Sequence, residues 1–324
     1  MLVWLMVALG LVILLLAGDM LVRGAVNLAL RVGIPALLVS LTIVAFGTSA
    51  PELLISLKAA AQDKPGLALG NVVGSNTANI LLVLGIPAIL ATMHTGTCET
   101  RKSFVVMIGG TLLFLLLALR GQFDLLSGVV LLSVLALILM DQGREALRHR
   151  RDGAGAGACA AADDDELEEI EGADPHMPWW KVILYLVLGL VGLPFGASIL
   201  VDSASEIARD YGISETVIGL TLVALGTSLP ELATTVMAAL RRQADVALGN
   251  VIGSNLFNLL AIIGVTSLFA KIPVDMPELQ FDFAVMLGAS LLLIPFVFLG
   301  RDINRLWGIV LSALYVAYVF VVLS

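Results

Sequence analysis

The sequence predicts an all-α membrane protein of ten transmembrane helices arranged as two inverted five-helix repeats. Three observations lead there. Of 324 residues, 59% are hydrophobic, 31 more are glycine and only 14% are charged, whereas soluble domains are roughly 45–50% apolar with glycine included; mean hydropathy is +1.01. The apolar residues fall into stretches near the length of about 20 that a helix needs to cross the hydrocarbon core. Two polar motifs inside those stretches occur twice, at a constant offset of 179 residues. A soluble enzyme, a nuclease or a disulfide-rich secreted module would have nowhere to put so much apolar surface.

The elements follow in order. Span 2–28 opens on an apolar run, Leu2 to Ala17, with no basic segment ahead of it, and continues into a longer helix. It therefore reads as a retained span and not as a cleaved leader. Spans at 35–60, 66–92, 104–120 and 123–140 complete a first set. From Asp141 to Pro178 no apolar period survives. That stretch holds Arg144, Arg148, Arg150 and Arg151, then a Gly/Ala run at 153–157, then an acidic run at 163–171, and it reads as a solvated, flexible loop. Spans at 179–204, 213–240, 244–270, 282–299 and 304–323 form the second set. The expected organisation is a first five-helix repeat at 1–141, a flexible cytoplasmic loop at 142–178 and a second, inverted repeat at 179–324.

Charge sets the orientation. With the N-terminus outside, inner loops hold twelve Lys and Arg and outer loops five, the asymmetry expected of cytoplasmic loops. The net charge of −8 comes largely from the 163–171 run and gives no sign of a nucleic-acid partner. Cys98 and Cys159 form neither a disulfide framework nor a zinc spacing. Asp19 and Arg23, four apart in the first span, read as an intrahelical pair that lowers each other's burial cost, with a gating role as the alternative.

The repeat is specific. Ala45-Phe46-Gly47-Thr48-Ser49-Ala50-Pro51-Glu52-Leu53 returns as Ala224-Leu225-Gly226-Thr227-Ser228-Leu229-Pro230-Glu231-Leu232. Leu69-Gly70-Asn71-Val72-Val73-Gly74-Ser75-Asn76-Thr77-Ala78-Asn79 returns as Leu248-Gly249-Asn250-Val251-Ile252-Gly253-Ser254-Asn255-Leu256-Phe257-Asn258. Apolar bias can align leucines by chance, but not Pro, Glu, Asn and Ser in register. Each set has an odd number of spans, so the second enters the membrane in the opposite sense. Inverted repeats of this kind build many secondary transporters, with the binding site near the midplane.

Glu52 and Glu231 lie inside apolar spans, where a charge costs at least about 2.5–3.5 kcal/mol and marks a functional site by default. Thr48 and Ser49 lie four and three residues before Glu52, which on a continuous helix puts their hydroxyls on its face; Thr227 and Ser228 stand likewise to Glu231. Pro51 and Pro230 cannot donate to the carbonyls of Gly47 and Gly226 and disturb the preceding turn. Carbonyls near Ala45 and Ala224 are then expected to turn inward, as irregular backbone does where it lines a polar cavity. Ser75, Asn79, Ser254 and Asn258 supply further oxygens. Asn76 and Asn255 are assigned to helix–helix hydrogen bonds, and Gly70, Gly74, Gly249 and Gly253 to close helix packing. Oxygen ligands without His or Cys select hard cations, and two carboxylates suit one Ca²⁺ or a set of Na⁺ ions.

At these residues the chain resembles the sodium/calcium exchanger branch of the cation/Ca²⁺ exchanger superfamily, particularly its prokaryotic members. The resemblance implies Na⁺/Ca²⁺ antiport by alternating access in the inner membrane of a prokaryote, with Ca²⁺ and Na⁺ as transported ions. It implies Ca²⁺ ligation by Glu52, Glu231, Thr48 and Thr227. Na⁺ would share the glutamates and use Ser49, Ser75, Ser228, Ser254 and the carbonyls of Ala45 and Ala224, while Asn79 borders the middle of the site. Some members, including K⁺ co-transporters, carry Asp where this chain has Asn258, so K⁺ dependence is not implied. The alternatives are an H⁺/Ca²⁺ antiporter, whose branch tends to have Gly-Asn in place of Gly-Thr-Ser, and a Na⁺-coupled exchanger of another divalent ion such as Mn²⁺ or Mg²⁺. An intramembrane enzyme would need a zinc motif, a Ser/Lys pair or paired aspartates in the spans, and none is present. No cofactor and no obligate protein partner is expected beyond the ions and the lipid bilayer.

Overall fold

The computed structural model describes residues 2–62, 64–93, 98–151, 174, 177–212 and 224–323. Helix α1 spans Leu2–Val32. A broken pair follows, α2 (Ala36–Thr48) and α3 (Ala50–Ala61), bent by 42° at Ser49. Then come α4 (Gly66–Leu90), α5 (Cys98–Ala118), α6 (Leu125–Arg151) and α7 (Trp179–Asp210). A second broken pair, α8 (Ala224–Thr227) and α9 (Leu229–Leu240), leads into α10 (Ala244–Phe269), α11 (Met276–Leu299) and α12 (Arg305–Leu323). Among the described residues eight helices are long and apolar enough to cross a membrane, or nine with α2–α3 counted as one span. Residues 213–223 of the expected span 213–240 lie outside the described residues, as do the acidic run at 163–171 and the Gly/Ala run before it.

The burial pattern is that of a membrane protein. Helices α4 and α10 form the centre, their Leu69, Val72, Ile80 and Leu84 packing in one core with Leu248, Val251, Leu259 and Leu260. A helix apolar on every side belongs in such a place. Outer helices turn large apolar side chains outward, among them Trp4 and Leu5 on α1, Leu116 on α5 and Leu306, Val316 and Phe320 on α12. This is a polytopic integral membrane protein.

The two halves interlock through their last helices. α6 crosses the end of α10, where a Cβ on Gly128 would stand 2.8 Å from the Gly264 carbonyl. α12 crosses the end of α4, where a Cβ on Gly308 would stand 2.7 Å from the Gly85 carbonyl. Gly85 and Gly264 are 179 apart. Short backbone pairings seal the same two ends: β1 (Gln122–Phe123) lies antiparallel to β2 (Ile272–Pro273), and Met93 bridges Ile303. Met93 and Ile272 are again 179 apart. Each half thus lends its last helix to the other.

Two expectations need correction. Helix α6 continues to Arg151 instead of ending near residue 140, because a helix leaving the apolar layer needs only good propensity and partners. Lys102 of α5 supplies the partners, reaching Asp141 at 2.8 Å and Glu145 at 2.6 Å. Similarly, α5 starts at Cys98 and α11 at Met276, each six residues before the apolar run that predicts it.

Candidate cation site

Pro51 and Pro230 do not kink a continuous helix; each begins a new one. Both lie in the first turn of a 12-residue helix, α3 or α9, where a missing N–H costs nothing. The preceding serines leave helical geometry in the same way, Ser49 at φ −83, ψ 5 and Ser228 at φ −87, ψ 2. Each break thereby puts a glutamate in the first turn of a helix, Glu52 in α3 and Glu231 in α9, where unpaired N–H groups and the helix dipole favour negative charge. Both carboxylates are 1% exposed.

The break also redirects the hydroxyls. Thr48 and Ser49 do not serve Glu52 on their own strand of chain, as helical spacing predicts, because the bend at Ser49 ends that helix face. Ser49 donates to Glu231 Oε1 at 3.1 Å, and Thr48 donates to Asn250 Oδ1 at 3.3 Å and lies 3.5 Å from Ser254 Oγ. Ser254 in turn donates to Glu231 Oε1 at 3.4 Å. In the other direction Thr227 hydrogen-bonds Glu52. One hydroxyl of each Gly-Thr-Ser motif, Ser49 or Thr227, thus attends the glutamate of the other.

The Ala45 carbonyl is not released as expected. It accepts the Ser49 N–H at 3.0 Å and the Thr48 hydroxyl at 3.3 Å, because the donor lost at Pro51 would have served Gly47. Its second lone pair is open to an ion only when the single Thr48 proton turns to Asn250 Oδ1 instead. In the other copy the Ser228 N–H goes to the Leu225 carbonyl at 3.1 Å, one residue on from Ala224.

The second motif brings α4 and α10 alongside. The Gly249–Gly253 face of α10 rides on the backbone of α2: a Cβ on Gly249 would lie 2.8 Å from the Leu37 carbonyl, and one on Gly253 would meet the Leu41 carbonyl and Ala45. Asn79 and Asn258 sit in π-helical turns, Asn79–Val83 and Phe257–Ile262, a distortion frequent at functional sites. Asn79 donates to Asn255 Oδ1 at 3.1 Å, so Asn255 bridges helices as expected, whereas Asn76 turns back to its own Val72 carbonyl at 2.7 Å. Ser75 and Ser254 are both buried.

A set of buried oxygens has no hydrogen-bond partner among the described residues: Glu52 Oε2, Glu231 Oε2, Ser228 Oγ, Asn76 Oδ1, Asn79 Oδ1 and Asn258 Oδ1. A buried polar atom without a partner costs about 1–3 kcal/mol, and more if charged. Orphaned oxygens in both motif copies suit a group that takes many oxygens at once, which is what a hard cation does. Among the described residues no three His, Cys, Asp or Glu side chains cluster, so hydroxyls and amides would have to complete any coordination around the two carboxylates.

Asn71 and Asn250 escaped the sequence reading. Asn71 donates to the Glu52 carbonyl at 3.4 Å and to Ser56 Oγ at 3.2 Å. Asn250 donates to the Glu231 carbonyl at 3.4 Å and to Thr235 Oγ1 at 3.2 Å. These amides lace each glutamate helix to its neighbour. The available signal was their duplication inside the second motif, since an amide in a span is a helix-bridging group.

A family model described as sodium/calcium exchanger protein matches residues 2–142 and 181–324. The chain belongs to this family. It is thus an antiporter of the cation/Ca²⁺ exchanger superfamily, a transporter and not an enzyme. The sodium/calcium exchanger MaX1 of Methanosarcina acetivorans is 33% identical to it over 98% of this chain and 97% of its own. A protein of Alkalimonas amylolytica with the provisional name antiporter CaxA is 38% identical over 98% of both chains. Among solved structures, the sodium-calcium exchanger NCX_Mj soaked with Na⁺ and Ca²⁺ superposes on this exchanger with a TM-score of 0.78, at 32% identity and over 98% of this chain and 97% of that one.

Proposed function

We propose that this exchanger moves Ca²⁺ against Na⁺ across a prokaryotic inner membrane by alternating access of two inverted five-helix repeats, 1–141 and 179–324, joined by a cytoplasmic segment at 142–178 whose start, to Arg151, continues α6. The observation that carries the reading is the crossed arrangement at Glu52 and Glu231. Two carboxylates at equivalent motif positions are buried at 1% exposure and served by hydroxyls from the opposite motif. A site shared by two halves opens to one side or the other as the halves rock against each other. The ligand set is Glu52, Glu231, Thr48 and Thr227 for Ca²⁺. For Na⁺ it is the same glutamates with Ser49, Ser75, Ser228, Ser254 and the carbonyls of Ala45 and Ala224; Asn79 and Asn258 border the middle. The match of the family model to two separate stretches and the names of MaX1 and NCX_Mj support it.

Ca²⁺ balances two carboxylates, whereas three Na⁺ would leave the site at +1, so exchange at that ratio is electrogenic. The test is purified protein in liposomes loaded with Na⁺ and assayed for ⁴⁵Ca²⁺ uptake with the Na⁺ gradient imposed or collapsed. Uptake should require the gradient and respond to membrane potential. Equal uptake driven by a proton gradient without Na⁺ would refute the coupling.

A further inference from the structure

The two motif copies match closely, but the ends of the glutamate helices do not. Asp19 of α1 pairs with Arg23 at 3.0 Å and also with Arg241, which caps the C-terminal end of α9 and contacts the same carboxylate through Nε and Nη2. The Asp19 and Arg241 side chains are only 18% and 12% exposed. Beside them α1 lies directly on α9: a Cβ on Gly18 would be 3.0 Å from the Ala233 carbonyl. Moving each position by 179 residues gives Ser198, Asp202 and Gln62 in place of Asp19, Arg23 and Arg241. None of these is a cation, and Ser198 donates to Asp202 at 3.2 Å within α7. The seams differ accordingly. Ala233 is 7% exposed under α1, while Leu54, its counterpart on α3, is 67% exposed.

We propose that Asp19, Arg23 and Arg241 form an ionic latch that closes α1 over the Glu231 helix and that, among the described residues, the equivalent positions at the Glu52 helix do not repeat. The site can open at the Arg241 end only when the latch parts, so the exchanger rests closed there and open at the Gln62 end. The latch rests on the alternating-access reading above. A partly buried ion pair contributes more than an exposed one and less than a fully buried one. Its loss should move the equilibrium about tenfold.

The test uses the full chain in lipid nanodiscs, with Cys98→Ser and Cys159→Ser in the background and single cysteines at Ala233→Cys or Leu54→Cys. A hydrophilic maleimide reports water access to each. With the latch intact, Ala233→Cys should label slowly. Arg241→Gln and Asp19→Asn should each raise that rate about tenfold and slow labelling of Leu54→Cys, while Arg241→Lys keeps the original rates. A rise at both cysteines would mean general loosening and overturn the latch. Rates that change between Na⁺ and Ca²⁺ in the unaltered latch, yet ignore Arg241→Gln and Asp19→Asn, would overturn the latch alone. Rates that ignore the ions altogether would overturn alternating access and the latch with it.

Discussion

Replacing Asn250 by alanine should do more damage than replacing Asn71, although the two occupy the same place in the repeated motif. Asn71 makes two side-chain hydrogen bonds among the described residues, to the Glu52 carbonyl and Ser56. Asn250 makes the matching two and also accepts the Thr48 hydroxyl at 3.3 Å. At a net contribution of about 1 kcal/mol per neutral hydrogen bond, Asn71→Ala costs about 2 kcal/mol and Asn250→Ala about 3. The difference is one bond between the two halves, the one that orients Thr48. A double-mutant cycle isolates it. Thr48→Ala should lower apparent Ca²⁺ affinity in ⁴⁵Ca²⁺ uptake, and about fivefold of that loss, the equivalent of 1 kcal/mol, should vanish on the Asn250→Ala background. On the Asn71→Ala background the full loss should remain. Thermal unfolding in detergent should rank Asn250→Ala below Asn71→Ala. An equal Thr48→Ala effect on both backgrounds, or the reverse thermal order, would refute the assignment.

Glu52→Gln and Glu231→Gln should each abolish Ca²⁺ uptake while the protein still elutes as a folded species, since the amide keeps the shape and removes a charge that a divalent ion needs; near-normal exchange in either would make that glutamate structural. Gly253→Val should cut the yield of folded protein and lower the unfolding temperature, because even its Cβ would lie 2.6 Å from that of Ala45 and overpacking typically costs about 1–3 kcal/mol; an unchanged melt would mean that α10 and α2 are not in contact. Asn258→Asp should keep exchange and add sensitivity to K⁺, because a third carboxylate would join a buried set in which both amide atoms of Asn258 lack partners among the described residues; identical flux at all K⁺ concentrations would place residue 258 away from the ions.

Local chemistry made much of this legible. Apolar stretches give nearly every span to within a few residues, because a bilayer demands helices of set length. Where the apolar run ends, that signal fades, which is why α6 at 141–151 and the first turns of α5 and α11 escaped it. Glu52 and Glu231 stood out because a carboxylate in hydrocarbon is expensive enough to need a purpose. Thr48 and Ser49 were found as residues but attached to the wrong glutamate, since helical spacing assumes a continuous helix and the chain breaks at Ser49.

The sequence by itself determined the membrane class, the positions of the helices, the doubled motifs and the oxygen character of the candidate site. These depend on residue type and on spacing along the chain. Only the tertiary structure decided which groups meet: Ser49 with Glu231, Asn79 with Asn255, Arg241 with Asp19, α6 with α10 and α12 with α4. Those contacts join residues far apart in the chain. Their geometry comes from a helix break and from glycines that let backbones touch, and neither leaves a record in the hydrophobic pattern.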